Sequence, residues 1–248
     1  MSKTSDARRL EDILTDDAAG RHDHHGESRW DGVMDEASLD ERYRSSSALW
    51  SGQPNPHLVT EAADLVPGTA LDVGCGEGAD AIWLAECGWR VTAVDLSTVA
   101  LERACAHALE AGVDVAQRID WLHADLTDWV PETATYDLVS AQFMHLPKGP
   151  REMLFRRLAA SVSSGGTLLI VGHHPSDLQT TIARPPAPGL FFTAADVAAL
   201  LDPHEWDIIV TETRGRPTLD SEGRTVTIHD AVLRALRGRP AGLGMPPS

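Results

Sequence analysis

Basic residues are scarce in this 248-residue chain: 21 Lys and Arg stand against 37 Asp and Glu, a formal net charge of −16. Nucleic-acid affinity depends on basic side chains displacing counterions from phosphates, so a nucleic-acid partner is not expected. Long apolar runs are missing as well. Nothing approaches the roughly 18 consecutive apolar residues of a membrane span. The opening stretch MSKTSDARRLEDILTDD has no apolar core like that of a secretory leader. Membrane and secreted classes are set aside, and a cytoplasmic protein is expected. Cysteine is confined to Cys75, Cys87 and Cys105. An odd number of cysteines in predicted core segments reads as reduced thiols, not a disulfide frame. Aromatic residues make up only 5%, but hydrophobic residues reach 42% and charged residues 23%, an ordinary globular balance. One domain with appendages, long enough to bury a core, is the expectation.

The composition shifts along the chain. Residues 1–26 are polar and without clear periodicity, and predict a flexible N-terminal arm with at most a frayed helix. Its His22-Asp23-His24-His25 run has side chains suited to a metal. No second ligand group is fixed by spacing, so no metal is expected. In residues 27–56, Trp30, Val33, Met34, Leu39, Tyr43, Leu49 and Trp50 are interspersed among charges, and the segment closes on a run rich in turn residues ending Pro54-Asn55-Pro56. This predicts a helical N-terminal cap or lid. Residues 57–238 carry the regular pattern, and 239–248 are a Pro/Gly-rich flexible tail.

Within 57–238, apolar spacing predicts a helix over 57–66, stopped by Pro67-Gly68. A short strand over 70–74 leads to a helix over 79–88 with Gly88 just past its end. A strand over 90–97 ends near Asp95, and Ser97 is placed to cap a helix over 98–112. Strands over 119–126, 136–144 and 166–174 follow, with a helix over 151–162 between the last two. A proline-rich loop, a helix over 193–201 begun by a Thr cap, and two strands over 205–214 and 224–236 complete the domain. Strands alternating with helices at this spacing require a mostly parallel sheet with helices on both faces. The final strand pair has no intervening helix, so the last strand should run antiparallel.

Leu71-Asp72-Val73-Gly74-Cys75-Gly76-Glu77-Gly78 is the most informative stretch. A strand running into alternate glycines lets the backbone turn sharply and approach a ligand, and the next helix aims its N-terminal amides at the same crevice. The loop alone also satisfies a loose dinucleotide pattern. Two further acids narrow the reading. Asp95, at a strand tip, can accept both hydroxyls of a ribose, and Asp125, at the next, can accept from an adenine amino group. An acid at position 72 suits a cationic ligand better than a pyrophosphate, and Glu77 adds to that preference.

On LDVGCGEG, VDLS, ADL, YDLVSAQF and Ser164-Gly165-Gly166-Thr167, residues 57–236 resemble the class I S-adenosylmethionine-dependent methyltransferase family. The resemblance implies a Rossmann-like α/β fold of seven strands with the last antiparallel. It implies S-adenosyl-L-methionine as cofactor and S-adenosyl-L-homocysteine as product. Asp72, Gly74, Cys75, Gly76 and Gly78 would lie against the methionine part. Asp95 would hold the ribose, Leu96 would pack on adenine, Asp125 with Leu126 would read the adenine edge, and Gln142 would face the sulfonium.

The methyl acceptor should lie under segments overhanging the crevice. His145, just beyond the strand over 136–144, is placed to take a proton in catalysis; packing beneath the cap is the structural alternative. His173 and His174 end the next strand, and by alternation one points inward; both are candidates for substrate contact. Tyr43 and Trp50 are candidates for the substrate and cofactor sides of an aromatic lid, with Trp30 structural. Asn55 could fix the cofactor carboxylate or terminate the cap. Gln142 stands where metal-dependent relatives carry an acid. Cys75 is expected to pack, not to react. The expected activity is methyl transfer to sulfur, nitrogen or oxygen of a small molecule, with a homodimer open. The alternatives are a non-catalytic S-adenosylmethionine-binding regulator and an NAD-dependent oxidoreductase.

Overall fold

The protein is described from a computed structural model that covers residues 8–9, 35–46, 52–180, 188–220 and 222–238. Trp30, Trp50, the histidine run 22–25 and the tail 239–248 lie outside the described residues. The helices are α1 (Glu36–Arg44), α2 (Pro56–Ala62), α3 (Ala79–Glu86), α4 (Thr98–Ala111), α5 (Val113–Ala116), α6 (Lys148–Ser161) and α7 (Ala194–Ala198). The strands are β1 (Arg8–Arg9), β2 (Thr69–Val73), β3 (Arg90–Asp95), β4 (Ile119–His123), β5 (Tyr136–Gln142), β6 (Val162–His173), β7 (Trp206–Leu219) and β8 (Thr225–Arg237).

They form one sheet in the order β1-β4-β3-β2-β5-β6-β8-β7. β2 pairs in parallel with β3 and β5, β3 with β4, and β5 with β6. β8 is antiparallel to both β6 and β7. This is the expected seven-stranded Rossmann-like sheet with its last strand reversed, plus one short strand the sequence did not announce. Arg8–Arg9 pairs antiparallel with β4, so the predicted arm supplies a two-residue cover for an edge that would otherwise expose unpaired amides and carbonyls.

Alternation along the strands divides the core between the two faces. Val139 and Ala141 of β5 and Leu168 and Ile170 of β6 meet Leu154, Phe155, Leu158 and Phe192 on one side. Leu138, Leu169 and Val171 turn the other way, toward Leu58, Leu84, Leu101 and Ala104. The predicted helix start signals act as read. Ser97 Oγ accepts from the Ala100 amide at 3.1 Å, and Thr193 forms a reciprocal capping box with Asp196.

Several boundaries move. β6 begins four residues before its predicted start, and α6 begins at Lys148. β7 runs on through Gly215-Arg216-Pro217 to Leu219, where a connection was expected. Pro217 is tolerated because β7 is the edge of the sheet, and the missing N–H costs no ladder bond on its outer side. Cys87 is exposed instead of core, because it sits at the end of α3 on the solvent side.

Candidate functional site

The strand order reverses direction at β2, with β3 and β4 to one side and β5 and β6 to the other. In an open α/β sheet this leaves a crevice beyond the C-terminal ends of β2 and β5. The glycine turn lies there. Gly74 has φ +72°, and a Cβ added to it would lie 2.8 Å from Met144 Sδ. Gly78 has φ +86°, with Trp121 at 2.7 Å and Ala104 at 2.9 Å from such a Cβ. Both positions therefore need glycine for conformation and for space. Cys75 between them is buried, and burial together with the Asp95 and Asp72 carboxylates pushes its thiol well up. It stays protonated and packs, as expected.

Asp95 braces this turn. Its Oδ2 accepts the Gly76 amide at 2.8 Å and its Oδ1 the Ser97 amide at 2.9 Å. Each carboxylate oxygen has a second lone pair, so Asp95 retains capacity for hydroxyl donors. Burial still raises it above the usual carboxylate range, despite those amides. Asp72 is also buried, and its Oδ2 has no hydrogen-bond partner. Burial first, then the charges of Asp80 and Asp95, push it well up. Asp80, in the first turn of α3, was not singled out from the sequence. Its Oδ1 accepts the Asn55 amide at 2.6 Å, and burial pushes it up to about 6. Among the described residues none of these three acids forms an ion pair with Lys or Arg.

Glu77 corrects an expectation. It is not left for a cationic ligand, because Arg103 Nη1 holds it at 2.8 Å. Arg103 Nη2 also donates to the carbonyls of Tyr43 at 2.7 Å and Ser46 at 2.8 Å. Tyr43 is buried, and this arginine links its carbonyl to Glu77 of the glycine turn. Asn55 does not stand open toward a ligand either: its Oδ1 accepts the His57 amide at 2.9 Å and caps α2.

The cap region is docked at the β3 and β4 tips. Asp40 of α1 accepts from Ser97 Oγ at 2.5 Å and from Thr98 Oγ1 at 3.2 Å, an anion at the positive end of α4. His123 Nε2 lies 2.8 Å from the Leu96 carbonyl and 3.0 Å from Glu36 Oε1. Both neighbours are acceptors, so that nitrogen carries the proton. Leu96 is thus held from behind by His123. Asp125 is exposed, and its Oδ1 accepts the amide and the hydroxyl of Thr127 in a local turn, at 2.8 and 2.7 Å. Leu126 is buried in the core on the α6 side.

Across the crevice, Gln142 closes β5. Its Nε2 donates to Ser140 Oγ at 2.8 Å, and its buried Oε1 has no hydrogen-bond partner. Phe143 adopts φ +53°. For a bulky residue such a backbone costs about 1–3 kcal/mol, and such strain concentrates at functional sites. Its ring centroid lies 4.6 Å from that of His173, and His145 lies 5.5 Å from His173. His173 is therefore the inward member of its pair. His174 faces the other way and serves structure: its Nδ1 lies 3.2 Å from the Ser176 amide, capping a 3-10 turn over Pro175–Gln179.

Behind His173 stands Asp230 on β8, which the sequence reading passed over. It is completely buried and touches groups from three elements: His57 Nε2 at 3.1 Å, Arg216 Nε at 2.7 Å and His173 Nδ1 at 3.9 Å. These partners hold its carboxyl far below the usual range, although burial alone would raise it. An acid on an inner strand facing histidines from other segments has no local spacing signal. Only the register that sets His173 opposite Asp230 brings them together. No group of three or more His, Cys, Asp or Glu residues suited to a metal ion occurs among the described residues.

Residues 70–166 match a family model described as a methyltransferase domain. The chain is 33% identical over 136 residues to glycine N-methyltransferase of Rattus norvegicus, covering 49% of this chain and 46% of that protein. It is 38% identical over 121 residues to the ubiquinone biosynthesis O-methyltransferase of Vibrio parahaemolyticus, covering 46% and 49%. The chain thus spans about half the length of the curated relatives it matches. Among solved structures, one from work on conversion of a disulfide bond into a thioacetal group during echinomycin biosynthesis superposes with a TM-score of 0.65. That match has 22% identity and covers 84% of this chain and 93% of the other. At that identity it speaks for the fold.

Proposed function

We propose, from the premise that residues 70–166 are a methyltransferase domain of the class I, S-adenosylmethionine-dependent family, that this protein moves a methyl group onto a sulfur, nitrogen or oxygen atom of a small molecule. The observation that carries the reading is the buried, unpartnered Oδ2 of Asp72 beside a glycine turn, with Asp80 and Asp95 near it. Two buried acids and a partly buried third, none paired with Lys or Arg among the described residues, suit a ligand that brings positive charge, and S-adenosylmethionine brings a sulfonium and an ammonium. A dinucleotide would bring its pyrophosphate to the same acids, which disfavours the oxidoreductase reading.

The residues fit the cofactor. Asp95 would hold the ribose hydroxyls while bracing Gly76. The turn from Gly74 to Gly78 would lie along the methionine part, with Asp72 and Asp80 toward its charge. Leu96 and Asp125 would flank the adenine. The bound cofactor supplies an electrophilic methyl group. The chain's own contribution is alignment and removal of water, and proximity of oriented reactants is worth about 7–11 kcal/mol. His145 and His173, with Phe143, would form the acceptor-side wall, where an imidazole can take the proton that a hydroxyl or thiol acceptor loses.

A small acceptor accords with the acidic surface and with relatives named for glycine and for ubiquinone biosynthesis. No helix among the described residues is long and apolar enough to cross a membrane. The three free cysteines suit a reducing compartment such as the cytoplasm. The test is incubation of the full chain with methyl-labelled S-adenosylmethionine and a panel of small thiols, phenols and amines. Labelled product with stoichiometric S-adenosylhomocysteine is expected. Tight cofactor binding without turnover on any of them would favour a non-catalytic regulator.

A further inference from the structure

We infer that Asp230 is a positioning residue for His173, holding its ring with Nδ1–H toward the carboxylate so that Nε2 serves as proton acceptor for the methyl acceptor. This rests on the methyltransferase reading above and adds to it a residue pair and a direction of proton flow. Successive contacts link the glycine turn to Asp230. Met144, against the glycine turn at Gly74, is followed by His145, whose ring lies 5.5 Å from His173; His173 Nδ1 lies 3.9 Å from Asp230 Oδ1. Asp230 Oδ1 is buried and has no hydrogen-bond partner in this arrangement, while Oδ2 is taken by His57 Nε2 and Arg216 Nε.

The division of labour between the two oxygens follows. Oδ2 is anchored from α2 and β7, so the carboxylate cannot rotate freely. Oδ1 is left for one more donor, and the Nδ1 edge of His173 is beside it. An approach of about 1 Å closes 3.9 Å to hydrogen-bond length. With Nδ1 carrying the proton, Nε2 on the opposite edge holds the lone pair. Among the described residues Asp230 from β8 and His145 from the segment after β5 face His173, while His57 from α2 and Arg216 from β7 reach it through Asp230. Phe143 and Phe191 add apolar rings, their centroids 4.6 and 6.2 Å from that of His173.

The step balances. The acceptor heteroatom forms its bond to the methyl carbon, the sulfur–methyl bond breaks with its electron pair going to sulfur, and the heteroatom's proton passes to His173 Nε2. The imidazolium that results faces Asp230, and the proton then leaves to solvent.

Long-range proton–nitrogen correlation spectra of the full-length protein read the tautomer of each histidine directly, with His173→Gln identifying the signals. In the wild type, neutral His173 should be the Nδ1–H form. Asp230→Asn should convert it to a mixture, and His57→Gln should leave it unchanged. A wild-type His173 protonated on Nε2 overturns the inference, and that measurement decides the matter even if Asp230→Asn does not fold. On the acceptor yielded by the labelled-methyl panel, a folded Asp230→Asn protein should lose about tenfold or more in kcat with unchanged cofactor retention in equilibrium dialysis. Unchanged kcat also overturns it. Failure of the wild type to retain S-adenosylmethionine would instead count against the methyltransferase reading, leaving the tautomer result intact.

Discussion

Two buried carboxylates at opposite ends of the crevice are driven in opposite directions. Asp72, at the tip of β2, has like charges for neighbours and an oxygen with no partner, and its protonated form is favoured. Asp230, on β8, is equally inaccessible but is surrounded by His57, His173 and Arg216, and its ionised form is favoured. Burial is common to both, so the partner set decides. Among the described residues Asp72 has no Lys or Arg partner and is suited to positive charge brought by a ligand, while Asp230 has its own partners and holds their side chains in place.

That contrast is sharpest in stability. Removing one partner from a buried ion pair costs about 3–5 kcal/mol, and Asp230→Asn should cost about 3, the low end, because Arg216 is 41% exposed. Asp72→Asn relieves repulsion from Asp80 and Asp95, and the amide oxygen can keep the bond from the Ala81 amide, so without cofactor it should be no less stable than wild type at neutral pH. Urea denaturation of both variants tests the pair. Similar losses in the two would erase the distinction.

In binding, the ranking should reverse. Asp95→Ala removes the acceptor for two hydroxyls and the brace on Gly76, and should weaken S-adenosylmethionine by about 1.5–3 kcal/mol in calorimetry. Asp230→Asn should leave that affinity unchanged. An Asp95→Ala protein that binds as tightly as wild type would remove the ribose assignment.

The pH dependence should also separate the two ends. Asp80 is raised from 3.8 to about 6 in the folded chain. Between those values the folded state binds more protons than the unfolded state, so this group's contribution to stability is present at low pH and lost as pH rises through about 6. A cation favours the ionised form, so cofactor binding should release a proton and tighten by about tenfold per pH unit below that midpoint, levelling off above it. Asp80→Asn should flatten the profile. The sign at Asp230 is opposite: its folded form ionises more readily than the unfolded one, and its stabilisation disappears as pH falls through the acid range. A cofactor affinity independent of pH between 5 and 7 would contradict the assignment of Asp80.

The smallest effect belongs to His174. His174→Ala loses a cap on a 3-10 turn and a ring contact with His229 and should lower turnover far less than His173→Gln. Equal losses would show that the two rings share one role.

What the sequence made legible follows the range of the signal. The sheet, its reversed last strand, the glycine turn and Asp95 all declare themselves within a few residues, through alternation, capping and turn chemistry. Glu77 was misjudged because its partner Arg103 lies 26 residues away on α4. Asp80 was overlooked because an acid in the first turn of a helix has an ordinary explanation in the helix dipole. Asp230 depended on register: four segments distant in sequence place His57, His173, Arg216 and the acid together only after β6, β7 and β8 have paired. The extension of β7 through Pro217 had the same cause, since edge position, not local composition, makes proline acceptable there.

The central claim is that Asp72 and Asp95 at the tips of β2 and β3, which pair with no Lys or Arg among the described residues, are built to receive a positively charged sulfur nucleoside. Equilibrium dialysis of wild type and Asp72→Asn against S-adenosylmethionine and NADH tests it most directly. Wild type should retain S-adenosylmethionine and not NADH, and Asp72→Asn should retain S-adenosylmethionine more weakly while folding normally. Retention of NADH with indifference to S-adenosylmethionine would contradict it.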